Sequence, residues 1–563
     1  MAQINGAEAA VRMLQAHDVT HVFGLCGDTS LPFYDALARL DHGITHVLTR
    51  DERHAAYMAD SYARITGKPG ICEGPSGGGA TYILPGVVEA NESSVALLSI
   101  TSDVPVTARG RYPLTELDQK ALFASLTKWN GVADHVAHIP DMFRKAFRTI
   151  TTGRPGAAHI GLPYDLQKQL VDEGTVWAQA EHTRFPAFRT GPDADSVQAA
   201  AQALLSAKAP VFIAGGGVII SHACAELAFI AELLDAPVAS TVSGHGAIAD
   251  SHPLAVGVVG TNGGTDETRE VVASADLVMF IGCRAGSTTT EHGAVPGRDA
   301  RIVHIDVDPL AVGANYRFEA ALVGDARACL QALYIELSTQ LAGKARSTGA
   351  AQRLFAMRQK KRANFLQLAR STDRPIRPER VLAALQSVLA EDAIIAADPG
   401  TPCPYFSGHY EFNNTGRRLI TNRAQGALGF SLAAAIGAWH ASPSSQVVAA
   451  MGDGSFGFCV GELETLVRYG IPVKIIVFSN ASYGWIKASQ KSGYGQRYFS
   501  VDFSRTDHAA IARVYGIKAW TVSDPLEVDA AIRSAVLHDG PALVDVISQP
   551  LEESAVPVSQ WMG

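Results

Sequence analysis

The chain of 563 residues is too long for a single hydrophobic core and predicts three or four domains. An apolar content of 47% and a charged content of 18% exclude a largely disordered chain, and a net charge of -8 without a long basic stripe excludes nucleic acid as an expected partner. The 7 cysteines stand far apart without a CxxC pair, so we expect a reducing cytoplasm and neither a disulfide framework nor a zinc site.

Short apolar, β-branched runs alternate with helical patterns along the whole chain. This alternation is typical of parallel sheets with helices on both faces, and the runs fall into three sets. We therefore predict an α/β fold with three doubly wound parallel-sheet domains. The predicted bounds are 1–178, 190–335 and 375–550 for the domains and 551–563 for a C-terminal tail.

The first set contains a strand followed by a helix in the segment THVLTRDERHAAYMADSYARITGKPG. Small and apolar side chains line one face of the predicted helix, and Glu52 stands where the strand ends and the helix begins. The helix dipole favours an acidic residue at that position by about 0.3 to 1 kcal/mol. From its position alone, Glu52 is therefore either a helix-stabilising residue or a functional carboxylate.

The second set contains the glycine run AGGGV at 214–218, which lacks the G-x-G-x-x-G spacing of a dinucleotide site. Glycines are equally expected at the turns of a sheet, so no nucleotide is predicted there. Beyond this set, the basic residues Arg358, Lys360, Lys361 and Arg362 predict the solvent-exposed face of a linker helix.

The third set includes the stretch 424–452, which has no charged side chain. Gln425, Ser431 and His440 interrupt it, so no apolar run reaches the length of a membrane span and no membrane contact is expected. We predict a buried helix over Gly426–Trp439, followed by a strand.

An acid and an amide follow two neighbouring strands of the third set, Asp453 after VVAAM and Asn480 after VKIIVF. The helix between these strands completes a βαβ unit, so both side chains are expected at the carboxyl edge of the sheet, where ligands bind. Carboxylate and amide oxygens suit Mg²⁺, which usually completes its shell with phosphate and water. The pair therefore predicts a phosphorylated ligand approached by Gly452, Gly454 and Ser455, unless the acid only caps a helix.

GDG with a downstream Asn resembles the signature of thiamine diphosphate enzymes. The resemblance implies that Asp453, Asn480 and the backbone carbonyl of Ser482 bind Mg²⁺. The segment that begins at Glu52 has the form E-x-x-A-x-x-M-A-x-x-Y-A-R, which is similar to the group of acetolactate synthase, pyruvate oxidase and benzoylformate decarboxylase. In that group the Glu shares a proton with N1′ of the cofactor's aminopyrimidine. The first domain would then bind the pyrimidine and the third the diphosphate.

Further cofactor contacts are implied by the same resemblance. The segment QGALGFSLAAAIGA resembles the family pattern G-x-(M/L)-G-F-x-x-x-A-A-x-G-A. The Gly426 carbonyl would accept a hydrogen bond from the cofactor's 4′-amino group, and Leu428 would wedge between its rings. Gly400 and Thr401 lie where the family binds the diphosphate. The middle domain holds FAD or ADP in some members, and neither is predicted here.

The resemblance implies a thiamine diphosphate- and Mg-dependent lyase or carboligase. It would decarboxylate a 2-oxo acid to an enamine and ligate this to an aldehyde or ketone, as acetolactate synthase does. The residues that border the implied substrate pocket are Gly27, Asp28, Gly78, Thr115, Tyr483 and Trp485. Leu114 and Thr115 replace the Phe and the Gln of the synthases, so acetolactate formation itself stays open. Family members build each site from two chains, which implies a homodimer or homotetramer with shared active sites.

Several alternatives stay open at this point. The helix FGFCVGELETLVRYGIPV resembles that of 2-hydroxyacyl-coenzyme A lyases and oxalyl-coenzyme A decarboxylases. However, the C-terminal tail offers two Glu and no Lys or Arg to close over the anionic coenzyme. Cleavage of a diketone would use the same chemistry. The chain could also be a catalytically silent cofactor-binding paralogue, or a Rossmann dehydrogenase.

Overall fold

The computed structural model describes residues 2–554, so most of the predicted tail, 555–563, lies outside the described residues. It contains three six-stranded sheets in which all paired strands run parallel, with helices around each sheet. The predicted fold class is thus confirmed, whereas the predicted domain bounds stay predictions. A small antiparallel sheet pairs Gln3–Asn5 with Leu170–Asp172.

The first sheet is built from the amino-terminal part of the chain. Its strands, in spatial order, are Thr45–Leu48, His21–Gly24, Gly70–Gly74, Leu97–Asp103, Ala157–Pro163 and Trp129–Val132. The α-helices of this part are Gly6–Ala16, Leu31–Arg39, Glu52–Thr66, Gly78–Tyr82, Leu84–Glu92, Gln119–Phe123 and Ile139–Thr151. The two central strands that begin at Gly70 and Leu97 are buried over their whole length, as is typical of parallel sheets covered on both faces.

The middle sheet has a separate core. Its strands, in spatial order, are Ala255–Val258, Val238–Ser240, Pro210–Ala214, Leu277–Ile281, Arg301–Asp306 and Ala320–Val323. The α-helices of this part are Ala194–Ser206, Gly216–Ile220, Cys224–Leu234, Asp266–Ala273, Ser287–Thr290 and Ala326–Gln340. The linker helix Ala350–Ala369 follows.

The third sheet completes the chain. Its strands, in spatial order, are Leu419–Thr421, Ile394–Ala397, Val447–Gly452, Lys474–Ser479, Ala542–Ile547 and Lys518–Val522. The α-helices of this part are Pro378–Val388, Pro402–His409, Phe430–Ala441, Asp453–Cys459, Glu462–Tyr469, Gly484–Gly493, His508–Val514 and Val528–Val536. Short 3-10 helices elsewhere in the chain are Asp28–Ser30, Val106–Ala108, Val136–His138, Leu166–Lys168, Glu173–Thr175, Ala180–Thr183, Val242–Gly244, Glu291–Gly293, Pro525–Glu527 and Leu551–Glu553.

Residue packing groups the described residues into two compact units. The first unit contains the first sheet and consists of residues 2–188, 422–444 and 459–469. The second unit contains the middle and third sheets and consists of residues 189–421, 445–458 and 470–554. The helix Phe430–Ala441 thus belongs to the unit of the first sheet, although it lies among third-set elements in the sequence.

Every large sheet has an edge strand that the apolar-run pattern does not indicate. These strands are Trp129–Val132, Ala255–Val258, Ala320–Val323 and Lys518–Val522. The first of them has no fully buried residue and the last has only Val522, because an edge strand is less covered than a central one. A search for continuous apolar runs therefore finds the central strands and misses these.

The helix predicted over Gly426–Trp439 begins later, at Phe430, and ends at Ala441. Gly426 and Gly429 have φ values of +66° and +84°, so the chain turns before the helix starts. Within residues 2–554, no helix is long and apolar enough to cross a bilayer.

The same helix packs closely against the helix Glu52–Thr66. A Cβ on Gly437 would lie 2.1 Å from the Met58 carbonyl oxygen, so only glycine fits this contact. Beside it, the Ser61 hydroxyl donates to the Ala434 carbonyl at 2.7 Å. The small residues of this segment therefore allow two helices to approach each other within the first compact unit.

Candidate active site

Glu52 is the first residue of its helix and follows the strand Thr45–Leu48 after three residues. Asp51 caps the helix by accepting the Arg53 N–H at 2.8 Å, and Gly67, with φ +67°, follows its last residue. The capping role thus belongs to Asp51, which leaves the Glu52 carboxyl without a helix-capping function. Glu52 is nevertheless buried, with 7% of its surface exposed.

Two glycines lie against the Glu52 side chain. A Cβ on Gly74 would lie 3.2 Å from Glu52 Cγ, and a Cβ on Gly79 would lie 3.2 Å from Glu52 Oε1. Burial raises the pKa of Glu52, and the negative charges of Asp51 and Glu73 raise it further. A carboxyl in such a place holds a proton more readily than an exposed Glu and suits proton exchange with a basic ring nitrogen.

Glu462 holds the chain on both sides of Glu52, and the sequence pattern does not single it out. Its Oε1 accepts the Arg50 N–H at 2.9 Å and lies 3.0 Å from His54 Nδ1. Its Oε2 accepts the Thr465 hydroxyl at 2.6 Å, and the side chain is fully buried. This carboxylate therefore fixes the start of the Glu52 helix.

The turn that carries Gly426 and Leu428 lies in the same compact unit as Glu52. Asn422 closes it, because its Oδ1 accepts the Gly426 N–H at 2.7 Å and its Nδ2 donates to the Ala427 carbonyl at 3.2 Å. A Cβ on Gly426 would meet no atom within 4 Å, and Leu428 is only half-buried. The turn thus presents open backbone and a large apolar side chain that is not part of the core.

Glu89 is a second carboxylate that sequence reasoning misses. It accepts the backbone N–H groups of three consecutive residues before Gly426, at distances of 3.2, 3.1 and 2.8 Å: Arg423, Ala424 and Gln425. It also accepts from Arg64, whose guanidinium pairs with Asp60, and all three charged side chains are buried. Glu89 is fully buried in the helix Leu84–Glu92, where it follows the apolar stretch 84–88, and a Glu beside such a stretch is the signal that could have indicated it.

In the second compact unit, Asp453 and Asn480 follow paired parallel strands, as the βαβ prediction requires. Asp453 Oδ1 accepts the Gly454 N–H at 2.9 Å, and Oδ2 accepts the N–H groups of Asn480 and Ala481 at 2.8 and 2.6 Å. Burial raises the pKa of Asp453, and these N–H groups counter that effect. Asn480 Oδ1 accepts from the N–H and the hydroxyl of Ser482, both at 3.2 Å. Acid and amide are therefore held together.

The side chains of Asp453 and Asn480 offer oxygen atoms as metal ligands, and oxygen ligands suit Mg²⁺. Within residues 2–554, no group of three or more His, Cys, Asp and Glu side chains could hold a metal ion. A cation at Asp453 would therefore rely on the Asn480 amide, backbone oxygen and a phosphorylated ligand. A Cβ on Gly452 would meet no atom within 4 Å, which leaves room beside the strand end for such a ligand.

Gly400 and Thr401 belong to the same compact unit. Gly400 has φ +94°, with no atom within 4 Å of an added Cβ, and Thr401 precedes the helix Pro402–His409. A Cβ on Gly484 would lie 3.3 Å from Thr401 Oγ1 and 3.7 Å from Asn480 Nδ2. The threonine hydroxyl and the Asn480 amide therefore lie beside the same glycine. Ser455 is buried in the helix that Asp453 opens.

The predicted substrate residues fall into two groups. In the first compact unit, Thr115 Oγ1 lies 2.7 Å from Ser76 Oγ, and Thr29 Oγ1 lies 2.9 Å from Ser76 Oγ and 2.7 Å from Ser102 Oγ. This chain of hydroxyls connects the segments that carry Gly27, Asp28, Gly78 and Thr115, of which Asp28 and Gly78 begin short helices.

In the second unit, the two aromatic candidates differ. The Tyr483 ring lies against Gly454, where an added Cβ would be 2.8 Å from it, and Trp485 packs on the core of the third sheet. Only Tyr483 is thus brought beside the Asp453 turn.

The glycines of the middle sheet lie where two chain segments cross. A Cβ on Gly215 would lie 2.1 Å from the Gly282 carbonyl oxygen, and a Cβ on Gly217 would lie 2.7 Å from Gly282 Cα. This crossing accounts for Gly215 and Gly217, and the absence of FAD or ADP stays a prediction.

Comparison with known protein families gives three matches along the chain. Residues 4–122 match the thiamine pyrophosphate enzyme N-terminal TPP binding domain. Residues 197–333 match the thiamine pyrophosphate enzyme central domain, and residues 398–546 match the C-terminal TPP binding domain.

Comparison with curated proteins gives relatives that match this chain over nearly its whole length. The "Probable acetolactate synthase large subunit" of Methanococcus aeolicus is 34% identical over 562 residues, which covers 97% of this chain and 92% of the relative. The "Acetolactate synthase large subunit" of Parasynechococcus marenigrum is 32% identical, covering 96% and 87%. The "Acetolactate synthase isozyme 3 large subunit" of Escherichia coli is 31% identical, covering 95% and 93%.

Proposed function

Since the chain belongs to the thiamine pyrophosphate enzymes, and is thus a thiamine diphosphate-dependent enzyme that breaks or forms carbon–carbon bonds, we propose that it is an acetolactate synthase-like carboligase. It would decarboxylate a 2-oxo acid and ligate the product to an aldehyde or ketone. The observation that carries this proposal is the similarity to acetolactate synthases over nearly the whole of both chains. Family membership also excludes the dehydrogenase alternative.

The proposed cofactor site draws on both groups of residues. Asp453, Asn480 and the Ser482 carbonyl would hold Mg²⁺, whose oxygen preference their donor set matches. The backbone of the glycine turns and nearby hydroxyls would contact the diphosphate through Gly400, Thr401, Gly452, Gly454 and Ser455. The Gly426 carbonyl would accept from the aminopyrimidine, and Leu428 would support its ring.

Glu52 is the proposed proton-transfer residue. Thiamine diphosphate, when bound, supplies a carbon nucleophile and an electron sink for decarboxylation. The Glu52 carboxyl would exchange a proton with the aminopyrimidine N1′, and its burial favours the protonated form that this exchange needs. Glu462 would keep the helix start in place through Arg50 and His54, so the carboxyl meets the ring in one orientation.

The residues of the proposed cofactor site do not determine which aldehyde or ketone accepts the decarboxylated product. Thr115 presents a hydroxyl where the synthases have Gln, and its contact with Ser76 makes it part of a polar chain. We propose that Thr115, Gly27, Asp28, Gly78 and Tyr483 border the substrate pocket. Trp485, which packs on the core of the third sheet, stays a further candidate for the border of this pocket. A cytoplasmic location and a homodimer or homotetramer with shared sites stay predictions.

A product screen tests the proposal. The full chain with thiamine diphosphate and Mg²⁺ is offered a panel of 2-oxo acids, each with and without an aldehyde or ketone, and CO₂ and products are measured by mass spectrometry. We expect CO₂ release and a ligated product, with a loss of about 10²- to 10⁴-fold in Glu52→Gln.

Glu464→Gln is the matched control, because this Glu pairs with Arg468 on the surface of a helix and should leave the rate unchanged. CO₂ release without any ligated product would indicate a simple decarboxylase. Full activity in Glu52→Gln would contradict the assigned chemistry.

A further inference from the structure

A cavity of about 260 Å³ lies in the second compact unit, and none of the residues assigned above to the cofactor or substrate lines it. Its walls come from the edge strand Ala255–Val258, the linker helix Ala350–Ala369, the helix Pro378–Val388 and the end of the helix Pro402–His409. This volume is close to the lower end of small-molecule pockets.

Lys361 lines this cavity and is half-buried, so the predicted solvent-exposed helix face holds for Lys360 and Arg362 and only in part for Lys361. Its Nζ lies beside Gly257, where an added Cβ would be 3.3 Å away. Gly257 has φ +103°, a conformation that glycine adopts without strain. Within residues 2–554, the Lys361 ammonium makes no hydrogen bond or ion pair.

The surroundings of Lys361 make an anion the expected partner. Burial lowers the pKa of Lys361, and the negative charges of Asp250, Glu411 and Glu267 counter this effect without contacting the ammonium. The Lys361 side chain is half-buried, and a bound anion would give its ammonium the partner that it lacks in the described residues.

The charged groups of the lining leave one positive charge in excess. Arg358, Lys361 and Arg362 face two carboxylates, Asp250 and Glu411. Two of these five are already engaged. Asp250 Oδ2 accepts from His245 Nε2 and the Phe412 N–H, both at 2.8 Å, and Arg358 donates to the His252 carbonyl at 2.7 Å. Glu267, which also acts on Lys361 from outside the lining, cancels this excess, so the choice of a ligand with one carboxylate rests on the unpaired Lys361 ammonium and not on the net charge.

A buried imidazole adds a polar group, and apolar side chains form much of the remaining lining. His245 lines the cavity with 3% of its surface exposed, and its Nδ1 has no hydrogen-bond partner within residues 2–554. The apolar part of the lining includes Val256, Val258, Phe365 and Leu382. The cavity therefore combines an unpaired cation, a hydrogen-bonding group and an apolar surface.

We propose that this cavity is a second ligand site, which binds a small organic monocarboxylate with its carboxylate on Lys361 Nζ and its apolar body against Val258 and Phe365. The site is independent of the thiamine diphosphate chemistry, because none of its residues belongs to that site.

Hexanoate is a suitable probe, with hexanamide as its neutral counterpart. Isothermal titration calorimetry on the full chain, loaded with thiamine diphosphate and Mg²⁺, should show hexanoate binding at least about tenfold more tightly than hexanamide. Lys361→Met should remove this difference. Lys360→Met is the control, because Lys360 is an exposed neighbour on the same helix, and it should bind hexanoate like the wild type.

A second variant separates this cavity from the active site. Ala383 is half-buried in the cavity wall, so Ala383→Phe should fill the cavity and weaken hexanoate binding while CO₂ release from the 2-oxo acid substrate continues. Unchanged hexanoate binding in both Lys361→Met and Ala383→Phe would overturn the proposal. Equal binding of hexanoate and hexanamide, or tighter binding of inorganic phosphate than of hexanoate, would also contradict it.

Discussion

Glu52 combines a buried carboxyl with a position at the start of a helix, and within residues 2–554 it makes no ion pair. Two other acids, Asp51 and Glu73, add to the effect of burial on its pKa. A folded protein gains nothing in stability from such a group once it is ionised. The position of Glu52 therefore favours proton transfer and lowers the stability of the folded protein.

The pKa shift of Glu52 predicts a pH-dependent change in stability. Burial raises the folded-state pKa above the ordinary value of 4.5, so from that pH upward the unfolded chain loses this proton first. The ionised carboxyl then destabilises the folded state, and the effect is complete above the raised pKa. We expect cofactor-free Glu52→Gln to be more stable than the wild type at about pH 8, with a gap that shrinks toward about pH 5.

Urea unfolding at a series of pH values measures this gap. Glu464→Gln should behave in the opposite sense and weakly, because Arg468 lowers the pKa of that exposed carboxyl. A gap for Glu52→Gln that stays constant over the whole pH range would show that the charge of Glu52 is not its source.

The sequence identifies chemistry-bearing residues where they stand in a recognisable pattern. Glu52, Asp453 and Asn480 follow strands and precede helices or turns, and this context is visible in the order of residues. Glu462 and Glu89 act through contacts with residues that are distant in the chain, such as Arg50 and Gln425. No local pattern encodes these contacts, so only the folded chain reveals them.

At the scale of elements, the helix that carries Glu52 depends on its neighbour Phe430–Ala441. Gly437 lets the two helices approach, and Glu89 ties the turn before the neighbour to the Arg64 end of the Glu52 helix. The apolar pattern indicates that the helix Phe430–Ala441 starts at Gly426. Its actual start could not be predicted, because Gly426 and Gly429 have positive φ values and so cannot form a first helical turn. Central strands were predictable from their apolar runs, as were the edge strands Thr45–Leu48 and Leu419–Thr421, whereas the other four edge strands were not.

A single methyl group tests the helix contact. Gly437→Ala should destabilise the protein by about 1 to 3 kcal/mol, because the new Cβ meets a backbone carbonyl that cannot move aside as a flexible side chain can. Gly493→Ala is the matched control, since Gly493 ends a helix and an added Cβ there meets no atom within 4 Å. Thermal unfolding of both variants measures the difference, and equal midpoints would contradict the close contact.

At the scale of the whole molecule, the candidate residues lie in two compact units. Glu52 and Gly426 belong to the first, and Asp453 and Asn480 belong to the second. The three-domain organisation was predictable because each sheet repeats the alternation of apolar strands and helices. The grouping of Phe430–Ala441 with the first sheet was not, because it rests on packing between distant segments.

The central claim is that Glu52 of one chain acts on a cofactor held by Asp453 of another chain. Mixing two inactive variants, Glu52→Gln and Asp453→Ala, tests this claim. In a mixed dimer with shared sites, one of the two sites would receive the wild-type residue at both positions. Random pairing of the two variants after refolding or co-expression should therefore restore about a quarter of the wild-type CO₂ release.

Each variant alone should be nearly inactive, and it should stay inactive when it is taken through the same refolding or co-expression procedure without the other variant. An affinity tag on one variant, and recovery of the untagged variant together with it, establishes that mixed oligomers have formed. Recovery of activity in that mixture is the result that the account predicts. Mixed oligomers without any recovered activity would place both residues of each site on the same chain and contradict it.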